Sequence, residues 1–259
     1  FYGIILYIMK PPIILSAFGT SSRAEKTYTK IKSVVQQQFP EHDIFFGYSS
    51  KKIIEAKDDQ LFQHPCTIAR DLRKSGYEQI FIQPLHLIPG SDYHTLFRES
   101  KLMKGVVQGK PLLYEERDFK DTSLAIKREL EKGSAETAVL LLGHGTSHPA
   151  WTAYPALLHF CRKKFSNHIY LGVLEKSPDS TQIPKQIAAD GYKHVHIIPL
   201  LLVTGMHFFR DIIGENAASW KSRLEKQGLV VTTHQEGLGD NVHIQKLFCK
   251  HISEYFEVI

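Results

Sequence analysis

The segment Leu141–Pro149, LLGHGTSHP, returns in altered form at Leu15–Ser22, LSAFGTSS. Phe18 stands in the first copy where His144 stands in the second. In each copy an apolar run meets a glycine-bearing loop rich in hydroxyls, the pattern of a buried parallel strand running into its loop. A chain that repeats this unit is constrained to two similar halves. One imidazole in two copies makes any site between the halves asymmetric.

The repeat extends beyond these loops. Phe18-Gly19-Thr20 matches His144-Gly145-Thr146 at an offset of 126, and Gly47 matches Gly172 at 125. The block Ser75–Gly90, SGYEQIFIQPLHLIPG, matches Asp190–Gly205, DGYKHVHIIPLLLVTG, at 115. Three blocks in the same order indicate an internal duplication. The first half carries ten more residues between Gly47 and Gly76 than the second carries between Gly172 and Gly191.

Short apolar runs at Pro12–Ala17, Asp43–Gly47, Gln79–Pro84, Ala138–Leu142, Ile169–Val173 and His194–Leu202 read as strands. Helical patterns lie between them at Ala24–Phe39, Thr67–Ser75, Tyr154–Phe165, Ile183–Asp190 and Asn216–Gln227. Alternating strands and helices predict an α/β fold of βαβ units with mostly parallel sheets flanked by helices. The charged stretch Asp121–Lys132, ending at Gly133, marks the boundary region. The expected division is residues 9–125 and 126–259. In open α/β sheets ligands sit beyond the carboxyl ends of the strands, so two such sheets would share a cleft.

Composition narrows the function classes. A net charge of +5 with no run of five basic residues gives little support to nucleic-acid binding, but suits a small polyanionic ligand. Three widely spaced cysteines without a CxxC pair indicate neither a disulfide framework nor a thiolate zinc site, and fit a reducing, cytoplasmic compartment. The apolar start FYGIILYIM is too short to span a bilayer and lacks the marks of a signal peptide. Met9 offers a natural start, which makes residues 1–8 an expected extension. No GxxxxGK[ST], GxGxxG or GxSxG motif occurs, so neither a nucleotide nor an organic cofactor is expected.

Three residues share one position. His144 lies between two glycines after the run Ala138–Leu142, where glycine permits a tight turn and leaves the side chain open. Glu175 follows the run Ile169–Leu174, and His207 follows the run Val195–Val203 with its Thr204-Gly205. Two imidazoles and a carboxylate suit Co²⁺, Fe²⁺, Ni²⁺ or Zn²⁺. The corresponding first-half residues are Phe18, Ser50 and Asp92, so that half has no such triad. His194 and His196 share one strand face and read as a polar strand face rather than a second metal site. The hydroxyls of GTSS and GTSH serve equally as helix caps or as anion receivers.

As an ordered set, AFGTS, GYEQIFIQPLHLIPGSDYH, GHGTSHPAWTAY, GVLEKSPD, IIPLLLVTGMHFFRDIIGE, SWKSRLEKQG and GLGDN resemble the anaerobic sirohydrochlorin cobaltochelatases, class II chelatases related in fold to ferrochelatase. The resemblance runs from about Pro12 to Phe248. It implies two Rossmann-like domains around a tetrapyrrole cleft and ATP-independent insertion of Co²⁺ into sirohydrochlorin in cobalamin biosynthesis. It also implies His144 and Glu175 as catalytic residues and His144, Glu175 and His207 as metal ligands. Tetrapyrrole contacts are expected at Phe18, Gly19, Thr20 and His86 of the first half, and at Gly145 and Gly205 of the second. The implied partners are sirohydrochlorin and a divalent metal, with no nucleic acid and no membrane; a homo-oligomer is left open. The alternatives are iron or nickel insertion, or a haem- or metal-binding protein without turnover.

Overall fold

The computed structural model describes residues 10–19, 25–57 and 62–257. Thr20 and the proposed extension at residues 1–8, with Met9, lie outside the described residues. In the first half, β1 (Ile13–Ala17), α1 (Glu25–Gln38), β2 (Ile44–Tyr48), α2 (Lys51–Lys57), α3 (Pro65–Lys74), β3 (Ile80–Pro84), α4 (Ser91–Lys101) and β4 (Val106–Gln108) follow in order. The helices α5 (Glu116–Ala125) and α6 (Lys127–Leu130) lead to the second half. There β5 (Thr137–Gly143), α7 (Ala153–Phe165), β6 (Ile169–Val173), α8 (Ile183–Ala189) and β7 (His194–Leu200) precede α9 (Trp220–Glu225), β8 (Val230–Thr233) and α10 (Val242–Phe256).

Two four-stranded, all-parallel sheets result, ordered β2-β1-β3-β4 and β6-β5-β7-β8. The identical order is what a duplicated unit requires, and the registers agree residue by residue. Ser16 pairs with both Gly47 and Pro84, while Leu142, its counterpart, pairs with Gly172 and Pro199. At both glycines a side chain is excluded by what packs on the strand. A Cβ at Gly47 would lie 3.0 Å from the Pro65 ring, and one at Gly172 2.4 Å from the Trp220 ring.

The inner strands are buried on both faces, as their unbroken apolar runs require. One core cluster joins the halves, with Leu15, Ile31, Phe81, Val139, Leu157, Ile198 and Phe248 among its buried members. Separate clusters cover the outer faces, around Ile68 and Ile82 on one sheet and around Phe208 and Trp220 on the other. The last helix crosses back onto the first half, packing α10 against α1, α5 and β3, while α5 also packs on α7. A buried hydrogen bond secures this crossing: the His251 ring lies 3.0 Å from Asp118.

The strands expected from the apolar runs are all present, within two residues at each end. The edge strands β4 and β8 were not anticipated, because VVQ and VVTT are too short to stand out from loop sequence. The helical pattern expected from Asn216 begins instead at Trp220. Ser219 ends it there, accepting a hydrogen bond from the Ser222 amide as an N-cap. Among the described residues no helix is long and apolar enough to cross a membrane.

Candidate functional site

The loops after β5, β6 and β7 bring His144, Glu175 and His207 to the carboxyl edge of the second sheet. Gly145 makes the first turn possible. Its φ is +85°, and a Cβ there would fall 1.7 Å from the Glu175 carbonyl oxygen. No residue with a side chain fits that approach. The Glu175 amide donates to the His144 carbonyl at 3.1 Å, and Leu174 donates to Gly143 at 2.9 Å, so the two loops are tied as one unit. Behind them the Gly145 amide donates to the buried Tyr154 hydroxyl at 3.2 Å. Gly19 repeats this backbone in the first half with φ +110°.

His144 and His207 meet. Their Nε2 atoms are 3.4 Å apart, and their rings cross nearly perpendicular, at 80° with centroids 4.7 Å apart. The proton positions follow from what the other nitrogens face. His207 Nδ1 lies 2.8 Å from Asp211 Oδ2. Asp211 is held below the usual carboxylate range chiefly by its bond to Arg210; burial opposes this, and the bond to His207 adds to the lowering. An ionised Asp211 only accepts, so His207 carries its proton on Nδ1. On His144, Nδ1 faces the Gly145 carbonyl at 3.3 Å and Glu175 Oε1 at 3.5 Å, both acceptors. Each ring in its neutral form therefore turns an Nε2 lone pair toward the other. Two lone pairs at this distance repel unless a proton or cation sits between them. Two nitrogens about 2.1 Å from one tetrahedral metal stand about 3.4 Å apart, which matches the observed separation.

Glu175 takes a different place from the one expected. Its carboxylate lies beside Nδ1 of His144, on the ring edge away from His207, and Lys176 Nζ approaches the same oxygen at 3.3 Å. The histidines thus form the convergent pair, while the glutamate stands behind one of them. All three side chains are accessible, at 41%, 46% and 47% exposure for His144, Glu175 and His207. Asp211 was missed in the sequence although HFFRD holds the signal. It lies four residues after His207, one turn on, within the π-helical turn Phe208–Ile212. An imidazole whose second nitrogen is bonded to a carboxylate is a familiar metal-site arrangement, because it fixes the tautomer and raises ligand basicity.

The expected tetrapyrrole contacts divide. Phe18 is half exposed at the end of β1, and Met206 and Phe209 beside His207 are exposed as well, giving apolar surface on both halves. Gly205 accepts from the amides of Phe208 and Phe209, and so starts the turn that carries His207. His86 turns its ring nitrogens inward, where both are buried without a partner; burial pushes its pKa down to about 4. Thr146 spends its hydroxyl on the His148 amide at 3.1 Å, and His148 in turn caps Pro149–Thr152. The halves approach each other at this edge: the rings of His94 and His148 lie 5.0 Å apart. His196 is satisfied by Thr232 and Glu129 at 2.9 Å each, as a polar strand face should be.

Comparison with known proteins agrees with this architecture. The sequence model of the cobalt chelatase (CbiK) family matches residues 12–257. A sirohydrochlorin cobaltochelatase of Salmonella typhimurium is 28% identical over 95% of this chain and 96% of its own length. The sirohydrochlorin cobaltochelatase CbiKC of Nitratidesulfovibrio vulgaris is 31% identical over 86% of this chain and 83% of its own. Among solved structures, SirB from Bacillus subtilis with Fe³⁺ superposes with a TM-score of 0.69 at 16% identity, covering 95% of both chains. SirB in complex with cobalt gives 0.67 at 14% identity and covers 96% of both. These structures share the two-sheet α/β fold with this protein. By its match over nearly the whole sequence, the chain belongs to the cobalt chelatase (CbiK) family.

Proposed function

We propose that this protein inserts Co²⁺ into sirohydrochlorin without ATP, using His144, His207 and Glu175. The observation that carries this reading is the pair of Nε2 atoms 3.4 Å apart at the carboxyl edge of the second sheet, in a chain of the cobalt chelatase family. The incoming ion is a substrate, held by His144 and His207 with coordination positions left open for exchange. Metal insertion requires two pyrrole protons to leave the macrocycle. His144 accepts one on Nε2 once that atom has released the metal, since a neutral imidazole accepts protons near neutral pH. The resulting imidazolium is stabilised on its Nδ1 side by the Gly145 carbonyl and Glu175. Glu175, accessible to solvent, accepts the second pyrrole proton and passes it to solvent.

His207 is kept in one tautomer by Asp211 and acts as the more permanent ligand. The exposed Phe18, Met206 and Phe209 supply apolar surface for the macrocycle. Three free, buried cysteines fit a cytoplasmic setting. Donor type alone does not select cobalt over iron or nickel, since affinity in such sites follows a general order and availability decides the rest. Purified protein given sirohydrochlorin with Co²⁺, Fe²⁺ or Ni²⁺ tests both points by the change in absorption spectrum. Acceleration with Co²⁺ is expected. Faster insertion of Fe²⁺ or Ni²⁺ would reassign the metal, and no acceleration with any ion would refute the enzyme.

A further inference from the structure

In the first half, the start of α3 and the last turn of α4 bring together an imidazole, a thiol and a carboxylate. His64 caps α3 through Nδ1, which accepts from the Cys66 amide at 3.3 Å. Its Nε2 therefore faces outward along the ring, 3.5 Å from Oε2 of Glu99. The Cys66 thiol also bonds to the Glu99 carboxylate, and burial together with that anion pushes the thiol pKa up to about 11. One donor atom from each residue lies within 4.8 Å of the others, and no other trio among the described residues meets that condition. The His144, Glu175 and His207 triad does not.

We propose that His64, Cys66 and Glu99 form a second divalent-metal site, with a donor set distinct from the His144–His207 pair, for a borderline ion such as Zn²⁺ or Co²⁺. The donor set is one sulfur, one nitrogen and one oxygen, each a ligand type these ions take. Tetrahedral ligation with sulfur at about 2.3 Å and nitrogen at about 2.1 Å needs donors about 3.6 Å apart, a small closure from the present spacing. An entry path exists: Cys66 is buried, but Glu99 is 41% exposed and His64 borders a surface groove lined by Lys51, Glu55, Phe62 and Thr67. Lys51 and Arg70 stand near enough to oppose a cation, so both anionic donors are needed to hold it.

Binding displaces one proton. The Cys66 S–H bond breaks, its proton goes to solvent, and the thiolate sulfur takes the metal. On His64 the ring proton moves from Nε2 to Nδ1, which gives up the long bond from the Cys66 amide. The ion would then join the two helices across the outer face of the first sheet, where α3 and α4 already touch.

Titration of the reduced, oxygen-free protein with Co²⁺ tests this. A near-ultraviolet thiolate-to-cobalt charge-transfer band reports Cys66, because none of the cleft residues carries a thiol. We expect the band in the unaltered protein and in His144→Ala, and its loss in Cys66→Ser with one fewer Co²⁺ bound per chain. Glu99→Gln, a change at a partly exposed residue that leaves the core intact, should weaken the band-forming site by at least about tenfold. No band in the unaltered protein, a band that survives Cys66→Ser, or unchanged affinity in Glu99→Gln would overturn the proposal.

Discussion

His144 and His207 face each other through Nε2 at 3.4 Å, and each has its other nitrogen committed to an acceptor. This arrangement leaves a two-nitrogen site that is most favourable with a cation in it. It predicts that His207→Ala abolishes Co²⁺ binding at the cleft while leaving the fold intact, since the side chain is half exposed. Cobalt titration followed by its visible ligand-field absorption, with circular dichroism as the control for folding, measures both.

Asp211 acts on the metal only through His207. Asp211→Asn keeps the shape but can present an amide N–H to Nδ1, which favours the wrong tautomer. Loss of such a carboxylate partner typically lowers metal affinity 10–100-fold, and about that rise is expected in the KM for Co²⁺. A KM unchanged within error would show that His207 does not depend on this bond.

Gly145→Ala tests the loop itself. The φ of +85° and the 1.7 Å approach to the Glu175 carbonyl leave no room for a methyl group. The loop must move, separating His144 from Glu175, and a stability loss of at least about 2 kcal/mol is expected from denaturant unfolding. The same change at Gly191, also at positive φ but with open space around it, should cost less.

The buried pair Asp118–His251 gives a pH dependence. Burial favours the neutral acid, but the His251 ring and the amides of Glu115 and Tyr114 outweigh it and hold the Asp118 carboxyl below its usual range. A depressed folded-state pKa stabilises the protein above the unfolded value of about 4, and that gain disappears as pH falls through the folded value. Stability should therefore fall below about pH 4. Asp118→Ala, which removes the buried hydrogen-bond partner of His251, should cost about 1–3 kcal/mol at neutral pH by denaturant unfolding.

Much of this was legible in the sequence. Unbroken apolar runs such as Val139–Leu142 could only be buried parallel strands. The paired positions Gly47/Gly172 and Pro84/Pro199 pointed to an internal duplication, and the two sheets do share one strand order. His144 and His207 were legible as strand-end histidines, because each follows an apolar run and a glycine. Strand-end position does not set side-chain direction, however. Glu175 shares the edge of the sheet, yet its carboxylate goes to the far side of the His144 ring. His86 occupies an equally suggestive loop, but both its ring nitrogens are buried, and the Leu112 and Leu113 amides tie down the carbonyls of His86 and Leu87. Asp211 had its signal in the four-residue spacing of HFFRD, whereas the His64–Cys66–Glu99 cluster needed three-dimensional structure, because it joins separate helices.

The initial rate of Co²⁺ insertion into sirohydrochlorin without ATP, compared between the unaltered protein and His144→Ala, addresses the central claim most directly. Loss of a positioned proton acceptor typically costs 10²–10⁴-fold, so the variant should fall by about that factor toward the spontaneous rate. A His144→Ala protein that inserts cobalt as fast as the unaltered one would contradict the account.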